Sequence, residues 1–101
     1  MKDIFAVSGS QAVLLFQGIG IESFIVNNEK ELKEKIEELA VTAKIIFISE
    51  ALSPLLEDVV EKYKEKVYPI LLFIPLEGKE SDIGLEKLKK DVERAIGLAI
   101  L

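Results

Sequence analysis

The chain contains no cysteine and no histidine among its 101 residues, and Arg94 is its only arginine. These absences exclude disulfides, thiolate nucleophiles, zinc sites of the usual Cys/His kind and imidazole acid/base chemistry. The formal net charge is −5, and the acidic residues are spread along the chain. Nucleic-acid binding depends on clustered lysine and arginine, so this charge pattern argues against a nucleic-acid partner.

The segment from Ile4 to Ile21 carries no charge and approaches the length of a membrane-spanning helix. Serine, glutamine and glycine residues interrupt it, and a β-like run precedes a helix-like one. The basic region of a signal peptide would consist of Lys2 alone, offset by Asp3. We therefore interpret the segment as strand, turn and helix, and we expect no direct membrane insertion.

Four short runs are continuously apolar and rich in β-branched or aromatic residues, without the alternation that gives a strand one wet face. A strand buried on both faces has this pattern, which is typical of a parallel sheet covered by helices. The runs are Ile4-Phe5-Ala6-Val7, Phe24-Ile25-Val26, Ile45-Ile46-Phe47-Ile48 and Ile70-Leu71-Leu72-Phe73-Ile74.

Segments with helical periodicity lie between these runs. The segment from Glu29 to Thr42 predicts an amphipathic surface helix with i,i+4 charge pairs. A second helix is predicted from Ser53 to Lys66, with Ser53 as its cap and Pro54 at its first position, and a third from Asp82 onward. We expect an α/β fold: a three-layer sandwich with a four-stranded parallel sheet of order 2-1-3-4, receiver- or flavodoxin-like, and a C-terminal helix.

The chemistry of the enzymes and signalling domains that share this architecture is missing. The first turn, Ser8-Gly9-Ser10-Gln11, has neither the glycine spacing of a dinucleotide site nor the lysine of a phosphate loop. A phosphoacceptor receiver needs an acidic pair at this turn and an aspartate after the third strand, where Ser49-Glu50 stands. Glu50 is either a contact or general-base residue there, or an acidic residue placed by the next helix dipole. We expect no cofactor and no metal.

Two apolar segments remain to be explained. The uncharged helix candidate from Gln11 to Gly18 needs cover on more than one side, from a neighbouring helix or from a partner. In the C-terminal segment, apolar residues are spaced 3, 4, 3, 4, as along a helix that packs on another helix. The first part of this helix can pack on the domain's own sheet, whereas its apolar end favours a protein partner. The predicted partner-binding residues are Leu85, Leu88, Val92, Ala95, Ile96, Ala99 and Ile100.

A set of motifs in fixed order then resembles a known family across almost the whole chain. The motifs are Ala6-Val7-Ser8-Gly9-Ser10, Leu15-Phe16 to Ile19-Gly20, Phe47-Ile48-Ser49-Glu50, Tyr68-Pro69-Ile70 to Ile74-Pro75, Gly78 and Glu93-Arg94-Ala95-Ile96-Gly97-Leu98. They resemble the F subunit of the V-type/A-type rotary ATPases. Ser10 stands where the family has aspartate, Leu15 stands where it has glycine, and the loop is one residue shorter, so the resemblance does not extend to contacts made through that turn.

The resemblance implies a non-catalytic rotor component of the central stalk, peripheral to the membrane on its cytoplasmic side. Such a component binds the coiled-coil D subunit and, through it, the A/B catalytic hexamer, and helps couple ATP hydrolysis or synthesis to proton or sodium transport. We expect residues 1–76 to form the globular domain and 77–101 a hinge loop with the partner-binding helix, Gly78 and Gly84 being the hinge.

Two alternatives stay open at this point. One is a small ligand-binding or signalling domain without phosphoacceptor chemistry, whose pocket is lined by Ser10, Gln11, Ser49, Glu50 and Pro75 at the carboxyl ends of the strands. The other is homodimerisation through the last helix, which is compatible with either function.

Overall fold

A computed structural model describes residues 3–76 and 82–100 of the chain. The strands are β1 (Ile4–Ser8), β2 (Glu22–Ile25), β3 (Ile45–Ser49) and β4 (Ile70–Ile74). The α-helices are α1 (Glu29–Ala40), α2 (Glu57–Tyr63) and α3 (Asp82–Ile100), and 3-10 helices span Gln11–Ile19 and Glu50–Leu55. The predicted alternation of strands and helices is confirmed in this order.

The four strands form one parallel sheet in the order β2-β1-β3-β4, as the sequence predicts. Ile4 pairs with Ile45 and Ile45 with Ile70, so the three strands start at the same level. Every residue of β1 and β3 is buried, because these two central strands are covered on both faces. β2 and β4 are the two edges of the sheet.

Side chains of alternate strand residues enter two separate cores, one on each face of the sheet. The first core lies under the Gln11–Ile19 helix and α3; its buried members are Ile4, Ala6, Ala12, Val13, Phe16, Ile21, Ile45, Phe47, Ile74, Leu76 and Val92. The second lies under α1 and α2; its buried members are Phe5, Val7, Val26, Leu32, Ile36, Leu39, Ala43, Ile46, Ile48, Leu56, Val59 and Tyr63. The molecule is therefore a three-layer α/β sandwich.

The uncharged segment after β1 is a 3-10 helix with one face buried against the sheet. Ala12, Val13 and Phe16 are buried, whereas Leu14 is 41 % exposed. The helix ends at Gly20, whose φ of 87° lies in the left-handed region that glycine adopts without a Cβ clash. The backbone N–H of the next residue, Ile21, donates to the carbonyl of Phe16 at 2.9 Å and closes the cap.

The predicted start of the second helix is wrong. Ser53 and Pro54 lie inside the short 3-10 helix, and α2 begins at Glu57 without a side-chain cap. Leu56 separates the two helices and is fully buried in the second core, with the backbone N–H of Val60 donating to its carbonyl at 2.8 Å. Burial of Leu56 accounts for this arrangement, because a continuous helix from Ser53 would change the direction of that side chain.

Candidate functional site

A half-open pocket of about 240 Å³ lies at the carboxyl ends of β3 and β4. Ser49, Glu50 and Pro75 line it together with Ala51 and Leu76. The structure thus brings together three of the five residues predicted for a ligand pocket; Ser10 and Gln11 are not among its lining residues. Pockets for small molecules usually enclose about 300–1,000 Å³, so this pocket is smaller than a typical ligand site.

In the first turn, Ser8 and Ser10 form hydrogen bonds with each other. The backbone N–H of Ser10 donates to Ser8 Oγ at 3.2 Å, and the two hydroxyl oxygens lie 3.5 Å apart. The turn therefore presents two hydroxyls where a receiver domain needs carboxylates. Within residues 3–76 and 82–100, no group of three or more acidic side chains is placed to hold a metal ion.

The predicted partner-binding residues lie on α3, and two of their side chains are described. Val92 is 1 % exposed and belongs to the first core, and half-buried Ile96 packs against the same core. Six charged residues, Glu86, Lys87, Lys89, Lys90, Glu93 and Arg94, are exposed. The described part of the apolar stripe therefore faces the domain's own sheet.

The other predicted residues of this segment are only partly described. Gly84 lies within the helical span of α3, whereas Gly78 falls between residues 77 and 81, outside the described chain. The side chains of Leu85, Leu88, Ala95, Ala99 and Ile100 also lie outside the described residues.

Ion pairs connect the outer surfaces of α1 and α2. Lys33 Nζ lies 3.1 Å from Asp58 Oδ2, and Lys62 Nζ lies 3.1 Å from Glu37 Oε1. The hydrogen bond from Lys33 lowers the pKa of Asp58, and the hydrogen bond that Lys62 donates to Glu37 raises the pKa of Lys62. Both pairs are exposed to solvent, so each contributes little to stability.

A second apolar surface, not predicted from the sequence, lies beside β4. Four of its five residues are only half-buried, and Val60 of α2 next to it is 36 % exposed. The signal in the sequence is the uncharged stretch from Val67 to Leu76. We call the surface formed by α2 and the outer side of β4 the α2–β4 edge. The apolar run of β4 forms an exposed surface only because β4 is an edge strand. In a central strand, the same residues would be covered on both faces and would belong to the core.

No helix within the described ranges is long and apolar enough to cross a membrane. The described structure thus defines a small α/β domain whose last helix carries a predicted protein-binding stripe.

Comparison with known proteins identifies the family. The family described as ATP synthase (F/14-kDa) subunit matches residues 4–92. The F subunit of the V-type ATP synthase of Clostridium perfringens (strain 13 / Type A) is 33 % identical over 101 residues, covering 99 % of this chain and 96 % of that protein. The corresponding F subunit of Fusobacterium nucleatum is 29 % identical and covers 100 % of this chain and 97 % of its own length. The chain belongs to the family of ATP synthase (F/14-kDa) subunits, in agreement with the resemblance of its motifs.

Proposed function

We propose that this chain is a non-catalytic component of the central stalk of a V-type ATP synthase, where it binds the coiled-coil D subunit. The observation that carries the proposal is the heptad-like stripe of α3 in a chain that belongs to this family. The stalk connects the chain to the A/B hexamer, so that ATP hydrolysis or synthesis is coupled to proton or sodium transport. The chain acts on the cytoplasmic side, peripheral to the membrane.

The proposed contact uses α3 in a position that differs from the described one. Val92 is buried in the domain's own core, and it contributes to a partner contact only after α3 leaves the sheet. We propose that residues 77–101 form a unit that moves relative to residues 1–76, with Gly78 and Gly84 as the hinge. The exposed charged face of α3 then remains in water in both positions.

A distance measurement tests this movement. The chain has no cysteine, so the substitutions Lys30→Cys and Glu93→Cys place spin labels at two exposed positions, one on α1 and one on α3. We expect one distance in the free chain and a longer one after addition of the D subunit. As a control, labels on Lys30→Cys and Lys62→Cys, within the globular domain, should keep their distance. An unchanged α1–α3 distance in the bound state would exclude the hinge.

The non-catalytic role is tested by reconstitution of the ATPase complex. The isolated chain is expected to hydrolyse no ATP, and the complex assembled without it should lose coupling between hydrolysis and ion transport while its A/B hexamer still hydrolyses ATP. Restored coupling on adding the chain back supports the proposal. Full coupling in the complex that lacks the chain would refute it.

A further inference from the structure

The two edges of the sheet are protected to very different degrees. β2 has four residues, begins with the exposed Glu22, and Lys35 Nζ lies 4.5 Å from the ring centroid of Phe24. β4 has five apolar residues within the uncharged stretch 67–76. Natural sheets use charge to prevent pairing at an edge, because an edge strand presents unpaired backbone N–H and C=O groups. β2 carries such a charge, whereas β4 has none and is instead flanked by Pro69 and Pro75, which limit pairing to the five residues between them.

A stripe formed by α2 and its C-cap residue, Lys64, borders the β4 edge. Glu57, Val60 and Lys64 are spaced 3 and 4 apart, so they lie on one side of the helix. Val60 is shared by two adjacent hollows, one of about 460 Å³ that includes Glu57 and Phe73, and one of about 210 Å³ that includes Lys64 and Leu71. The α2–β4 edge is therefore acidic towards the carboxyl end of β4, apolar at its centre and basic at the amino end.

The two charged residues of this stripe form no ion pair within the described chain, whereas two neighbouring charged residues on α2 do. Asp58 and Lys62 form ion pairs with α1. In the part of the chain that the structure describes, Glu57 and Lys64 form no ion pair. The stripe thus carries two opposite unpaired charges on either side of an exposed valine.

We propose that the α2–β4 edge is a self-association surface occupied by a second copy of this chain, related by a two-fold axis. Antiparallel pairing of the two β4 strands, centred on Leu72, places Leu71 opposite Phe73 of the second copy and Ile70 opposite Ile74. Every cross-strand pair is then apolar, which favours the contact. Pro69 and Pro75, which lack an N–H, end the ladder on both sides.

The same axis aligns the charges of α2. Val60 lies level with the centre of β4, since it borders the hollows next to both Leu71 and Phe73. An antiparallel second α2 therefore places Glu57 beside Lys64 of the second copy, twice in the symmetric contact. Glu61, next to Val60, lies close to the axis, where two carboxylates repel each other.

A second copy fits this edge better than a helix does. A strand satisfies the outward backbone groups of β4, whereas a helix has no free backbone groups along its length. The proposed contact does not involve α3, so it is independent of binding to the D subunit.

The test measures the mass of the full chain by sedimentation equilibrium. With rising concentration, the mass should increase from 11.3 kDa towards twice that value. The substitution Val60→Asp should raise the dimer dissociation constant at least about tenfold, because it places a charge at the centre of the contact. The matched control is Ile25→Asp on β2, where the side chain is 42 % exposed, and it should leave the constant unchanged. Far-UV circular dichroism verifies that both variants fold.

Exchange of the two charges provides a second, independent test of the dimer contact. Glu57→Lys and Lys64→Glu should each weaken the dimer about threefold or more, because each brings like charges together. The double variant should recover the original affinity, since the exchanged charges again face opposite ones. Glu61→Gln should tighten the dimer by removing the repulsion at the axis.

Several results would overturn the proposal. One is a measured mass that stays at that of a single chain at every concentration. Another is an unchanged dimer dissociation constant in the Val60→Asp variant. A third is a dimer that is lost in Ile96→Asp but not in Val60→Asp, because association would then be assigned to α3. Loss of D-subunit binding in Val60→Asp would likewise overturn it, because the edge would then be a stalk contact. Failure of the unmodified chain to bind the D subunit would count against the proposed function and leave the self-association unaffected.

Discussion

The ring centroid of Phe16 lies 5.4 Å from that of Phe47, and the two ring planes are inclined by 31°. Both side chains are 1 % exposed. The contact joins the uncharged 3-10 helix to the central strand β3, so Phe16 anchors the helix that shares the first core with α3.

The substitution Phe16→Ala is expected to reduce the free energy of unfolding by about 3–5 kcal/mol, because it removes a buried ring and leaves a cavity. Leu14→Ala on the same helix should change it by less than about 0.5 kcal/mol, since Leu14 is 41 % exposed. Urea denaturation measures both values. Equal losses would contradict the assigned orientation of the helix.

Gly20 and Gly18 make a matched pair for testing the end of this helix. Gly20→Ala forces a side chain into the left-handed region at φ 87°, and we expect a loss of about 1–2 kcal/mol. A Cβ at Gly18 meets no atom within 4 Å, and its backbone needs no positive φ. Gly18→Ala should therefore be neutral or stabilising by up to about 1 kcal/mol. A larger loss at Gly18 than at Gly20, measured by thermal unfolding, would contradict the cap.

The start of α1 depends on Asn28, whose side chain accepts a hydrogen bond from the backbone N–H of Glu31 at 2.8 Å. Asn28→Ala should cost about 1 kcal/mol, because one helix N–H loses its partner. Asn27→Ala serves as the control, since the described contact of Asn27 is its backbone N–H, which donates to Glu31 Oε2. Equal effects in chemical denaturation would exclude Asn28 as the cap.

The Lys33–Asp58 ion pair makes a pH-dependent contribution to stability. Lys33 lowers the pKa of Asp58 in the folded state, so the contribution is present above the carboxyl group's unfolded pKa of 3.8 and is lost as the pH falls through the folded value. Asp58→Asn should therefore lower the denaturation midpoint slightly at pH 7 and leave it unchanged at low pH. High salt should reduce the difference at pH 7, because the pair is exposed. A difference that grows on acidification would contradict the assignment.

Most of the fold can be predicted from the sequence, because the strands are continuous apolar runs rich in β-branched and aromatic residues. The runs at 45–48 and 70–74 have no polar alternation, and the structure places them in adjacent parallel strands. Periodicity does not distinguish a 3-10 helix from an α-helix over Gln11–Ile19, since a nine-residue segment without charge presents apolar residues to every side. The start of α2 was mispredicted because Ser53-Pro54 is a local signal that opens a 3-10 turn as readily as an α-helix.

The candidate site is predicted less completely. The spacing of the α3 stripe is the same for a helix on its own sheet and for a helix on a partner, so the sequence could not place Val92 in the first core. The exposure of the α2–β4 edge depends on β4 being the last strand in the sheet, which is a property of the topology and not of the local sequence.

Calorimetric titration of the coiled-coil D subunit with the full chain most directly tests the proposed contact of α3 with that subunit. We expect saturable binding at a ratio of one to one, and a loss of at least about tenfold in affinity for the folded variant Leu88→Asp/Ile96→Asp. The control Glu86→Gln/Glu93→Gln on the exposed face should bind like the unmodified chain. Unchanged affinity of the folded Leu88→Asp/Ile96→Asp variant, or no binding of the unmodified chain, would contradict the proposed contact.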